Sequence, residues 1–237
     1  MIQTEGIFVG GSAISAPIIG EDFNWSGSDG TYQVLDDGGG NWRIKFLSSG
    51  TFTPLKNMVI DVFLVGGGGG AGSSYCGEGG AGYTTTVRSV VLTANTAYSI
   101  VVGAAGTNGN PSSAGGETTA FTASAAGGKN TSNGTSSSKR PGGAGGSGGA
   151  GYVSPVATTT GGTDGGDGTS SATTGGKGQG TTTREFGEAD GTLYASGGGS
   201  NLTATVSNSG NGGRNGITSI EPADGIVVIR QHKEVAA

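Results

Sequence analysis

Met58-Val59-Ile60-Asp61-Val62-Phe63-Leu64-Val65 runs without a break into Gly66-Gly67-Gly68-Gly69-Gly70-Ala71-Gly72. That junction decides the fold. The first stretch is short, rich in β-branched residues and almost continuously apolar, so it reads as a central strand. The second carries nothing larger than a methyl group. It has no side chains to pack, and each glycine costs roughly 0.5–1 kcal/mol more to order than alanine. Such a run is ordered only where other backbones approach closely enough to hydrogen-bond it.

Working outward, the same alternation of strand and glycine run repeats. Trp42, Ile44 and Phe46 alternate with Arg43 and Lys45, the pattern of a half-buried strand. Ser48-Ser49-Gly50 reads as a turn and Thr51-Phe52-Thr53 as the next strand. Further strands are expected at Thr84–Leu92, Ala97–Val102, Thr118–Ser124 and, closing the chain, Gly225–Arg230. Glycine-rich runs fall at Gly66–Gly72, Gly77–Gly82, Gly142–Gly151, Gly161–Gly168, Gly175–Gly180, Gly197–Gly199 and Gly210–Gly216. No stretch joins helical spacing to good helix formers, so almost no α-helix is expected.

Gly142–Ala150 reads GGA-GGS-GGA. A period of three matches an extended helix with three residues per turn and about 3.1 Å rise per residue. Such a helix has no internal hydrogen bonds, so its buried N–H and C=O groups need neighbours. The expectation is an all-β protein: a short antiparallel sheet base or sandwich carrying a bundle of polyglycine-II helices and long loops. Residues 1–41, ending in Asp36-Asp37-Gly38-Gly39-Gly40, are expected to form an attachment segment, and residues 42–237 the glycine-rich domain.

Composition narrows the function classes. Glycine (54) and proline (6) make up about a quarter of the 237 residues, a fraction common in disordered chains. Only 12% of residues are charged, however, whereas disordered chains are usually charge-rich, which favours a folded chain with an unusual core. The net charge is -5, and the densest basic pair is Lys139-Arg140. Neither nucleic acid nor an anionic membrane is expected as partner, since both need clustered Lys and Arg. Nothing approaches the roughly 18 apolar residues of a membrane span. Residues 7–20 lack the basic flank of a secretory signal. A single Cys76 permits no internal disulfide, and Cys76 with His232 is too small a set of soft ligands for zinc.

The motifs that suggest chemistry fail in context. Gly67, Gly69 and Gly72 satisfy G-x-G-x-x-G after a strand, but Ser73–Gly80 cannot supply the helix a dinucleotide site requires. Gly161–Gly168, with Asp164 and Asp167, is one copy of a pattern that binds calcium as tandem repeats. His232 is the sole histidine and near the C-terminus, so any Ser-His or Cys-His arrangement would rest on it. Glu185, Glu188 and Asp190 read as a polar loop, and Thr84–Thr86, Thr158–Thr160 and Thr181–Thr183 have no fixed spacing. No catalytic residue, cofactor or metal is assigned. Tyr152, Phe186 and Tyr194 stand among few apolar neighbours, with Arg184 beside Phe186. Two readings stay open for them: rigid anchors for a receptor, with Arg184 toward acidic glycans, or plugs for the ends of the bundle.

"GTFTPLKNMVIDVFLVGGGGGAG", the later "GGAGYTTTV" and "YSIVVGAAG", and the closing "DGIVVIR" resemble the glycine-rich domain of phage and prophage tail-fibre proteins over roughly residues 45–230. "TTTREFGEADGTLYASGGGS" is similar to a loop-plus-glycine block in such proteins. The chain is also similar to the distal adhesin of T-even-type phages, which stacks polyglycine-II helices and displays loops at its tip. The resemblance implies a non-enzymatic receptor-binding adhesin of a virion, extracellular after host lysis. Its partners would be a bacterial surface protein or glycan and other tail-fibre or virion proteins. A structural virion fibre or decoration protein without a receptor is the alternative. Two assembly states are open, a homotrimer and a single chain capping a trimer.

Overall fold

A computed structural model describes residues 22–27, 32–73, 75–133, 142–151, 183–199, 202–214 and 219–231. Among the described residues, ten strands form two five-stranded antiparallel sheets and there is no α-helix. The strands are β1 (Phe23–Ser26), β2 (Tyr32–Gly38), β3 (Asn41–Phe46), β4 (Gly50–Pro54), β5 (Met58–Val65), β6 (Thr84–Leu92), β7 (Tyr98–Val101), β8 (Thr118–Ala120), β9 (Ala123–Ala125) and β10 (Ile226–Gln231). The first sheet runs β1-β4-β7-β8-β9 and the second β2-β3-β10-β5-β6.

The sheets enclose one core. Period-two alternation sends Ile44 and Phe46 of β3, Ile60, Val62 and Leu64 of β5, and Val227 and Ile229 of β10 inward. Phe23, Phe52, Ile100, Ala120 and Ala125 meet them from the first sheet. Phe52 is the aromatic hub, with its ring 5.1 Å from Phe23 and 5.7 Å from Phe46.

β5 and β6 have the expected bounds, and β10 is central in its sheet, between β3 and β5. Two differences stand out. Thr118–Ser124, read as one strand, is a β8–β9 hairpin that turns at Phe121, whose φ is +56°. Phe23–Ser26 and Tyr32–Gly38 lie in the expected attachment segment, yet they are strands of the two sheets. The expected boundary at 41/42 runs through the β2–β3 hairpin, whose turn Gly38-Gly39-Gly40 has φ of +77°, +62° and +79°. These strands are legible only when Phe23, Trp25, Tyr32 and Val34 are seen to add to the core, which their acidic neighbours disguise.

The second sheet is apolar on its outer face as well. Phe63 and Val65 of β5 and Ile226 and Val228 of β10 point away from the main core and form a second cluster with Ala81, Phe186, Tyr194 and Ala195. One loop, Thr183–Tyr194, covers that face.

Candidate functional site

Every described strand end at Val65, Val101 and Ala125 feeds a glycine-rich segment, and these segments bond to one another in a strict order. The central one is 66–72. Gly66 N–H donates to Tyr83 and Gly69 N–H to Gly80. Gly67 donates to Gly116 and Gly70 to Ser113, while Gly68 donates to Ala223. Carbonyls point the other way: Gly67 and Gly70 accept from Gly128 and Thr131, Gly68 and Ala71 from Gly106 and Gly109, and Gly69 from Gly213. Each third residue returns to the same neighbour, whose partner has also moved by three. The segment is therefore held by six others, three receiving its N–H groups and three supplying donors to its carbonyls.

Segment 78–83 repeats the scheme. Glu78 and Ala81 donate to Ala150 and Ser147, Gly79 and Gly82 to Gly213 and Gly210, and Gly80 and Tyr83 to Lys129 and Ala126. This accounts for buried backbone groups that no strand ladder serves.

Glycine is required here by space. A Cβ on Gly66, Gly67, Gly68, Gly69 or Gly70 would stand 2.1, 2.1, 1.8, 2.3 or 1.9 Å from the carbonyl oxygen of Ala126, Ala104, Asn211, Lys129 or Thr107. No methyl fits at such distances.

At the far end, side chains complete the order. Ala71 N–H donates to Asn108 Oδ1 (2.8 Å), and Asn108 Nδ2 donates to the Ile220 carbonyl (2.9 Å). The amide thus relays Ala71 to the neighbour that Gly68 reaches directly. Gly72 N–H donates to Thr131 Oγ1 (3.0 Å), which donates to the Gly77 carbonyl (2.5 Å). Tyr75 lies beyond, with φ +45° and about half exposed, near buried Cys76. Burial first, then the negative charge of Glu78, pushes the Cys76 thiol up to about 11.

The loop beside the lattice gathers three of the four sequence candidates. Arg184 is half-buried, bridges to Leu193 and donates from Nη1 to the Gly191 carbonyl (3.1 Å). Phe186 (1% exposed) and Tyr194 (6% exposed) turn inward, with rings 6.1 and 5.5 Å from Phe63. Both rings lie over the outer face of the second sheet, in one cluster with Phe63, Val65, Ile226 and Val228. Tyr152 lies outside the described residues, as do the Gly161–Gly168 loop and His232.

Charges surround these rings. Glu185, 1% exposed, accepts from Arg43 Nη1, with Lys45 Nζ 3.1 Å and Tyr194 Oη 3.2 Å from its Oε2. Lys45 Nζ also donates to Tyr194 Oη (3.0 Å). Asp61, fully buried, takes Arg88 (3.2 Å) and Arg230 (3.1 Å). Arg230 also reaches Glu188 (2.7 Å) and lies 4.2 Å over the Phe186 ring. Bonding to Asp37, reinforced by Glu185, holds Arg43 more firmly protonated than usual. Burial, then the Glu185 charge, raises Tyr194 above the ordinary tyrosine range. Each carboxylate of this cluster is matched by a cation, an arrangement suited to holding a loop. Among the described residues, no three of His, Cys, Asp and Glu stand close enough together to hold a metal ion.

Sequence reading missed Asn108 and Thr131, which look like ordinary loop residues. A faint signal existed: each follows a Gly/Ala-rich tract at the level where 66–72 ends. It read Trp42–Phe46 as a half-buried strand without assigning partners to Arg43 and Lys45, since nothing local announces the loop that pairs with them.

The family model described as a glycine-rich domain matches residues 47–230. No curated protein matches the chain.

Proposed function

The chain belongs to the glycine-rich domain family, and from that premise we propose that it is a receptor-binding adhesin of a phage or prophage tail fibre, its glycine segments forming a polyglycine-II bundle. The observation carrying this reading is the step of three in the bonds of segments 66–72 and 78–83. Three residues per turn with all bonding lateral is the signature of that helix class. A bundle so bonded is stiff, because each segment is restrained on several sides. Stiffness suits a spacer that holds recognition loops away from the sandwich.

The loops at the far end meet a bacterial surface protein or glycan. Ser73 and half-exposed Tyr75 lie there, and Tyr offers large contact area at low entropy cost. Tyr152 and Arg184 remain contact candidates, while Phe186 and Tyr194 act from beneath by fixing the Arg184 loop. Several copies on one virion gain avidity through effective concentration. The same stiffness would serve a structural fibre, and adhesion separates the two. Fluorescently labelled protein is incubated with a panel of bacterial strains and counted by flow cytometry. Saturable binding to some strains, lost in Tyr75→Ala and Tyr152→Ala, is expected. Absence of binding across the panel, with the sandwich folded, leaves the structural fibre as the better reading.

A further inference from the structure

We infer that the Thr183–Tyr194 loop is a releasable strap, held onto a cationic face of the second sheet by the charges of Glu185 and Glu188 and freed when those charges are removed. Three observations carry this. First, the loop's own backbone bonds close within it: Glu185 N–H to Thr192, Gly187 to Arg184, Gly191 to Glu188 and Tyr194 to Thr183. It can lift as a unit without breaking a strand ladder. Second, side chains tie it to the sheet. They are Glu185 to Arg43 and Lys45, Glu188 to Arg230, Arg88 Nη2 to the Phe186 carbonyl (2.7 Å), and the Phe186 and Tyr194 rings on Phe63.

Third, the charges balance only with the strap in place. The sheet face presents Arg43 and Lys45 from β3, Arg88 from β6 and Arg230 from β10. From the sheet itself only Asp37 of β2 and Asp61 of β5 answer them. Glu185 and Glu188 supply the remaining two negative charges. Neutralising these two side chains by substitution leaves Arg43 and Lys45 facing an uncharged group and Tyr194, with Asp37 as the anion nearby, and leaves Arg230 sharing Asp61 with Arg88. Removing one partner of a buried pair strands the other charge without its hydration. Phe186, at φ +56°, adds a backbone conformation that favours departure.

Amide exchange by mass spectrometry, corrected for intrinsic rates, tests this on the whole chain. Near pH 7 the amides of Glu185–Leu193 are protected. In a Glu185→Gln/Glu188→Gln double variant at the same pH their protection falls on the order of 100-fold, while β5 and β10 keep theirs. Glu188→Gln alone, at a partly exposed position, gives part of that loss. Strap protection unchanged in the double variant overturns the inference. Strap and sheet losing protection together also overturns it, since the loop would then be part of the global unit.

Discussion

Gly68→Ala measures how closely the glycine segments pack. A Cβ there would stand 1.8 Å from the Asn211 carbonyl oxygen and 2.5 Å from its carbon. Non-bonded heavy atoms settle near about 3.5 Å, so one backbone must retreat by roughly 1.5 Å. The bonds at stake are Gly68 to Ala223 (2.9 Å), Ala223 to Asn211 (2.9 Å) and Gly106 to Gly68 (2.8 Å). Such a retreat carries a bond well past the usual range, and each buried group left unpaired costs about 1–3 kcal/mol. Two lost bonds amount to about 2–6 kcal/mol. Alanine gives back about 0.4–1 kcal/mol by restricting the unfolded chain. The net loss is a large part of the roughly 5–15 kcal/mol that holds a domain together. Gly39→Ala is the control: its Cβ meets only Asn41 Nδ2 at 3.6 Å, and its φ of +62° costs about 1–2 kcal/mol. Guanidinium unfolding gives both values, provided the slope is unchanged. If Gly68→Ala loses no more than Gly39→Ala, the close-packed account of the lattice is refuted.

Asn108→Ala removes the relay from Ala71 to Ile220, and a stability loss of about 2–4 kcal/mol with faster exchange at the Ala71 amide is expected. Asp61→Ala leaves buried Arg230 with Glu188 alone and half-exposed Arg88 with the Phe186 carbonyl, and unfolding measurements are expected to register about 3 kcal/mol, the low end for a broken buried pair. The Cys76 thiol, held at about 11, is expected to resist iodoacetamide at pH 8 in the native state and to react on unfolding. Because its folded value is raised above the unfolded one, its contribution to stability is complete at neutral pH. That contribution is lost as pH climbs from about 9 through 11. Tyr194 shifts in the same sense from an ordinary value near 10, so Tyr194→Phe is expected to flatten the alkaline loss seen in denaturation above about pH 10.

Much of the sandwich was legible because its strands obey local rules. Met58–Val65 and Thr84–Leu92 declare themselves by β-branched content, and both have the expected bounds. The order of the sheets was not legible, since β10 reaches its place between β3 and β5 across most of the chain. β1 and β2 escaped notice because Asp36, Asp37 and three glycines look like a linker until Tyr32 and Val34 are placed on the core. The lattice was half legible. GGA-GGS-GGA suggests one extended segment of period three, yet Gly142–Ala150 bends at 145–147 and folds back so that Gly149 N–H donates to the Gly143 carbonyl; which segment bonds to which depends on how loops return, and Asn108 and Thr131 act only through that return. Phe186 and Tyr194 were visible as isolated aromatics. Their inward direction was not, because it answers to the outer row of Phe63 and Val65, more than a hundred residues earlier.

The central claim is that the glycine segments are held by lateral backbone bonds, and amide exchange at single-residue resolution tests it most directly. The account predicts that Gly66–Gly70 and Gly79–Gly82 exchange as slowly as Val62–Val65 and Ile226–Ile229, with every third residue protected through the same neighbouring segment. Exchange of the glycine amides at the rate of an unstructured chain, while β5 and β10 stay protected, would contradict it and leave a sandwich carrying loose glycine loops.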